Sequence, residues 1–151
     1  MPAAVKRRTL LLLLALAVSV AFAAWQWLRP YDWSPDPAAR YHIVHAAVER
    51  DHSYLWLNLF LERNDQVSHD LTKPVLLLTA DGRELEPADT TLGGDEKSGT
   101  DALGFRFWLQ EADFSGPLRL RLNDGTLLVR KQSGTPGVNK GTPRYFTSSN
   151  W

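Results

Sequence analysis

Hydrophobic positions obey two different rules along this chain. Near the start they are continuous. From Leu10 to Trp25 only Ser19 is polar; Thr9 precedes the run, Gln26 interrupts it, and Trp27 and Leu28 extend it. A helix that is apolar all round belongs in a protein core or in lipid. The terminal position and the preceding Lys6-Arg7-Arg8 speak for lipid. Thr9 to Leu28 is 20 residues, which at ~1.5 Å rise per residue spans about 30 Å, one hydrocarbon core.

Two uses fit such a run. One is an uncleaved anchor, with Trp25, Trp27, Tyr31 and Trp33 lying at the outer interface, where amphipathic rings settle. The other is a signal peptide cut after the small residues of Ala21-Phe22-Ala23. A signal peptide has no need of the aromatic cluster, so the cluster favours the anchor. In both cases the basic residues 1–8 stay in the cytoplasm and the rest of the chain crosses. The expected location is a cell membrane, single-pass, with a periplasmic C-terminal domain; the alternative is a soluble exported protein. Residues 29–40, with Pro30, Pro35 and Pro37, read as a short stiff stalk.

Beyond Tyr41 the rule changes to alternation, the period of a strand with one buried face. Tyr54 to Glu62 is the clearest case: Leu55, Leu57, Leu59 and Leu61 share one face, while Tyr54, Trp56, Asn58, Phe60 and Glu62 share the other. Tyr41–Arg50, Pro74–Thr79, Arg83–Glu86, Gly104–Gln110, Leu118–Leu122 and Thr126–Lys131 are further expected strands. Asp81-Gly82 and Asn123-Asp124-Gly125 read as hairpin turns. Ala88–Ala102, polar and glycine-rich, reads as a long loop. Six or seven short strands predict an all-β domain over 41–131: a small antiparallel β-sandwich of immunoglobulin-like type, with a small barrel as the alternative. The leucine face, Phe105/Phe107/Leu109 and Leu118/Leu120/Leu122 would form its core. Residues 132–151 are rich in Gly, Ser, Thr and Pro and read as a flexible tail; the alternative is that Tyr145, Phe146 and Trp151 dock on this domain or on a partner.

Charge narrows the partners. The 17 cations and 17 anions balance overall, but residues 1–33 hold four cations and one anion. That leaves 13 cations and 16 anions beyond Ser34, a net charge of −3. An acidic domain of this kind does not suit nucleic acid. The absence of cysteine excludes disulfides, thiolate metal sites and a cysteine nucleophile.

Candidate chemistry is sparse. His42 and His45 sit three apart on an expected strand, which places them on opposite faces, unable to share one ion. Ser68-His69-Asp70 has the residue types of a hydrolytic triad, but neighbours in sequence seldom converge in space. Asp81, Glu84, Glu86, Asp89, Asp95, Glu96 and Asp101 gather near the expected loop, oxygen donors of the kind calcium takes, but in no calcium-loop spacing. No acid/base pair or nucleophile set can be placed together, so the chain reads as non-catalytic, with no cofactor. The outward face carries more. Tyr54, Trp56, Phe60 and Trp108 oppose the core positions, and Arg106, Arg119 and Arg121 are expected on the same outer side. Trp, Tyr and Arg are the usual anchors of protein interfaces. The expected function is a membrane-anchored accessory protein whose sandwich docks another envelope protein. The alternative is an exported module that binds glycan or a metal ion.

Overall fold

In the computed structural model, which describes residues 2–31 and 36–151, the leucine-rich run forms helix α1 (Pro2–Trp27). Its apolar stretch Lys6–Trp27, 22 residues, is unburied and long and apolar enough to be a membrane span or a signal sequence. Ser19, the polar residue within the run, donates its hydroxyl to the Ala15 carbonyl at 2.9 Å. That bond satisfies the Ser19 hydroxyl donor within the helix. Trp33 and Pro35, assigned above to the aromatic belt and the stalk, lie outside the described residues.

Nine strands follow among the described residues: β1 (Tyr41–Asp51), β2 (Tyr54–Arg63), β3 (Leu76–Leu78), β4 (Glu84–Leu85), β5 (Asp89–Asp95), β6 (Gly99–Gln110), β7 (Leu118–Leu122), β8 (Gly125–Arg130) and β9 (Arg144–Phe146). They make two antiparallel sheets, ordered β5-β6-β2-β1-β9 and β4-β3-β7-β8. The arrangement is sandwich-like, because both sheets feed one core. Leu55, Leu57, Leu59 and Leu61 of β2 and Phe105, Phe107 and Leu109 of β6 meet Leu77 of β3, Leu118, Leu120 and Leu122 of β7, and Val129 of β8, all buried. Each such side chain contributes roughly 1.5–3 kcal/mol by leaving water. The period-two leucines form strands because only a pleated strand places every second side chain on one side.

Three features depart from the sequence reading. The expected loop Ala88–Ala102 is instead a hairpin: β5 pairs with β6 from Asp89↔Arg106 to Asp95↔Gly99, with Gly94 (φ 138°) and Gly99 (φ 73°) at its tip. β5 is an edge strand and largely exposed, so polar and glycine residues are tolerated there. The second departure is a bulge in β1 between Ile43 and His45, which pairs His42 with Glu62 and His45 with Phe60. One extra residue shifts the alternation, so His42 and His45 share the outer face rather than opposing each other.

The third concerns the ends of the domain. Residues 36–40 pack on the domain. Asp36 Oδ1 caps the 3₁₀ turn Pro37–Ala39, Asp36 Oδ2 accepts from the Thr126 amide at 2.9 Å, and Ala39 is buried. This explains Gly125 at the β7–β8 turn, where a Cβ would lie 2.3 Å from the Ala39 nitrogen. The far end is also ordered. β9 pairs with β1, the Lys131 amide donates to the Ser149 carbonyl at 2.7 Å, and Trp151 is buried against Phe146 with rings 4.4 Å apart. Ser148 Oγ donates to the Trp27 carbonyl at 3.1 Å, Asn150 donates to the Gln26 carbonyl, and Trp151 Nε1 donates to the Tyr31 hydroxyl. The tail therefore docks on its own domain and on the root of α1.

Candidate functional site

The outer face of the five-stranded sheet is built from cross-strand rows. Register places Trp108 of β6 opposite Trp56 of β2, and Glu49 of β1 opposite Trp56. The next row along runs from Ala47 through Asn58 and Arg106 to Asp89. The row after that runs from His45 through Phe60 and Gly104 to Thr91. Tyr145 of β9 extends the face beyond β1, opposite Ala47. Directly opposed and diagonal side chains on such a face are within reach of one another.

The rings touch in two groups. The His45 ring stacks on Phe60 at 4.4 Å with planes 22° apart, and its other neighbour is Tyr145 at 6.0 Å. Tyr54 lies 6.0 Å from Trp56 at a steep edge-on angle and 5.3 Å from Trp108. The Arg106 guanidinium covers Trp56 at 4.1 Å, and its Nε is buried without a hydrogen-bond partner. The cation–ring contact contributes about 0.5–1 kcal/mol at a site of this exposure. Phe60, Trp108 and Tyr145 nonetheless remain 42%, 43% and 64% exposed. A run of rings that neighbours orient but do not cover is preorganised for contact.

One end of the face is polar. The Asp51 carboxylate accepts from the Tyr54 hydroxyl at 3.1 Å and the Trp56 indole at 3.4 Å, and pairs with His52 at 2.7 Å. The His52 bond, then the Tyr54 bond, hold the Asp51 carboxyl below the usual range, and the same contact raises the Tyr54 phenol. Asp51 thus orients two rings of the face.

Not every residue expected at this face is on it. Arg119 and Arg121 belong to β7, in the other sheet, and point out from the opposite side of the sandwich; Arg121 pairs with Glu84 at 3.1 Å. Alternation along β7 is correct, but the sheet β7 joins is decided by long-range pairing. Phe146 and Trp151 are turned inward and stack on each other, leaving Tyr145 as the tail residue on the face. His45 is the member that sequence reasoning missed. The signal lies in β1 itself, where Ile43 and the pair Ala46-Ala47 break strict alternation and mark the bulge.

Elsewhere the candidate groups are occupied separately. Ser68 Oγ accepts from Arg63 at 3.1 Å, His69 Nδ1 meets Asn123 Oδ1 at 2.9 Å, and Asp70 accepts from the Thr72 amide at 3.0 Å, so the three do not converge. Asp95 accepts from the Lys97 and Ser98 amides at 2.9 and 2.6 Å, and Asp81 bonds Thr79, which lowers both carboxyls. These acidic residues shape turns. Among the described residues no three His, Asp or Glu side chains gather as metal ligands.

Compared with known protein families, curated proteins and solved structures, the chain matches none.

Proposed function

We propose that this chain is a non-catalytic, membrane-anchored accessory protein whose extracytoplasmic domain docks another envelope protein through the outer face of the five-stranded sheet. The observation that carries the reading is two ring groups, Tyr145–His45–Phe60 and Trp56–Tyr54–Trp108, the second oriented by Arg106 and Asp51, with Phe60, Trp108 and Tyr145 still open to solvent. Aromatic anchors with fixed rotamers lose little conformational freedom on binding, which is why they dominate interface energetics. The unburied helix α1, with Lys6, Arg7 and Arg8 before its apolar run, supports a single span with the domain outside the cytoplasm. An immunoglobulin-like type is proposed for the domain, supported by two antiparallel sheets on one core.

The test is site-specific photo-crosslinking in intact membranes. A crosslinking residue in place of Phe60, Trp108 or Tyr145 is expected to give one discrete adduct that disappears when Trp56→Ala is added. The same probe in place of Arg119, on the opposite sheet, is expected to give none. Adducts of equal yield from both faces, or none from either in folded protein, would end this reading.

A further inference from the structure

The two sides of the sandwich are finished differently. On one side the chain covers its own edges. Asp36 and the Ala38 carbonyl accept from the Thr126 and Asp124 amides beside β8, and the tail adds β9 to β1. The other side, where β4 and β5 end their sheets, is bare. β5 is exposed along its length except at Gly93, and among the described residues no segment pairs with its outer side. The Thr90 amide is taken by the Asp89 carboxylate at 2.9 Å, not by β6. By alternation the Leu92 main chain also faces outward, and the Leu92 side chain is 47% exposed. An uncovered edge of this kind is a template for another chain.

The same two sides carry opposite charge. Residues 81–101, which include β4 and β5, hold seven anions and two cations. Residues 125–151, which include β8, β9 and the tail, hold four cations and no anion. Among the described residues Glu86, Asp89 and Glu96 on the first side enter no ion pair, nor do Lys131, Lys140 and Arg144 on the second. All six are exposed. The charges are also level with one another. Tyr145, Ala47, Asn58, Arg106 and Asp89 stand in one row across the five-stranded sheet. Asp89 at one edge and Arg144, next to Tyr145, at the other therefore lie at the same height along the strands. Lys140 continues the basic edge, bridged to Arg50 of β1.

We infer that the acidic β4–β5 edge docks the basic β8–β9 edge of a second copy of this chain, head to tail. Charge decides both the partner and the mode. Two β5 edges paired antiparallel about Leu92 would set Asp89 against Asp95, like against like. Two basic edges repel in the same way. Acid against base attracts and suppresses those alternatives. Each surface ion pair is worth little by itself, so the contact is weak in solution and gains from the concentration that a shared membrane imposes. A head-to-tail contact is heterologous and repeats into a ring or a row. About an axis along the membrane normal it keeps every α1 in one bilayer. The gain from the membrane rests on the anchored reading of α1; the charge match does not.

The chain has no cysteine, so an introduced one reports its own position alone. Leu92→Cys marks the acidic edge, and Asn139→Cys, beside Lys140, marks the basic edge. The two full-length variants are reconstituted together in vesicles of uncharged phosphatidylcholine and treated with a short bis-maleimide. At about 20 mM NaCl the mixture is expected to give a heterodimer, and at about 500 mM, where surface charges are screened, to lose most of it. Either variant alone is expected to give only the background of random collision. Glu86→Lys with Asp89→Lys, added to the Leu92→Cys chain, is expected to abolish the heterodimer. Lys140→Glu with Arg144→Glu, added to its partner, is expected to restore it. The salt comparison needs no charge variant, so it stands if these chains fail to fold. Homodimers of Leu92→Cys alone, at the yield of the mixture, would overturn head-to-tail docking in favour of like edges paired. No heterodimer at low salt, or a yield indifferent to salt, would overturn the pairing and leave the acidic edge to a different, basic partner. None of these outcomes depends on the outer sheet face, whose crosslinking test is separate.

Discussion

The two outer faces of this sandwich share one core and differ in almost everything else. The five-stranded sheet turns Tyr54, Trp56, Phe60, Trp108, His45 and Tyr145 outward, with Arg106 laid over Trp56. The four-stranded sheet turns out Leu76, Leu78, Glu84, Arg119, Arg121, Thr126 and Leu128, with Arg121 paired to Glu84. Inside, both sheets present buried leucines. The core requires only that alternate positions be apolar and of the right volume, so it does not distinguish the sheets. The outward positions are free of that demand. A mixed, charged face is what solubility asks for, whereas a half-exposed aromatic run asks for a partner. The difference between the faces is thus where this molecule departs from a generic sandwich.

The sharpest way to break the comparison uses two adjacent residues. Phe107 is fully buried and Trp108 is 43% exposed. Phe107→Ala is expected to cost about 3–5 kcal/mol, through lost burial and the cavity left behind. Trp108→Ala is expected to cost far less while weakening partner crosslinking. Denaturant unfolding of the full chain in detergent, read by far-ultraviolet circular dichroism, measures both, and similar losses would mean that the outer ring belongs to the core. Gly125→Ala comes next. Its Cβ meets the Ala39 backbone, so Ala39 and its turn must move, at an expected cost of about 1–3 kcal/mol. A neutral result would show that residues 36–40 are not seated on the β7–β8 turn.

Trp56→Ala removes the ring under Arg106 and is expected to cost about 0.5–1 kcal/mol beyond its own burial. A double-mutant cycle with Arg106→Ala isolates that coupling, and a value near zero would leave the face as separate side chains. Arg119→Ala and Arg121→Ala, on the other sheet, are each expected within about 0.5 kcal/mol of the parent and to leave crosslinking unchanged. The smallest effect is one of pH. The folded Asp51 carboxyl is held below its ordinary value, so the unfolded chain binds its proton first on acidification. Its contribution is present above the unfolded carboxylate range and fades as pH falls through the folded value. Asp51→Asn is expected to lower stability slightly at neutral pH and to converge on the parent at low pH, which flattens the acid limb of stability against pH. An unchanged acid limb would show that Asp51 does not hold Tyr54 and Trp56 in solution.

What the sequence by itself determined was local and periodic. The apolar run of α1, the leucine faces of β2 and β7, the Asn123-Asp124-Gly125 turn and the outward set Tyr54, Trp56, Phe60 and Trp108 follow from side-chain period and turn stereochemistry. These act within a few residues. Tertiary structure decided the rest, because pairing partners are chosen by contacts far apart in the chain. It set Arg119 and Arg121 on the opposite sheet and drew Asp89–Asp95 into an edge strand despite its turn-forming residues. It turned His45 outward through one bulged residue, and it folded Phe146 and Trp151 inward, with Trp151 against Arg130. A period says which side a residue takes on its own strand. Only the assembled sheets say what stands beside it.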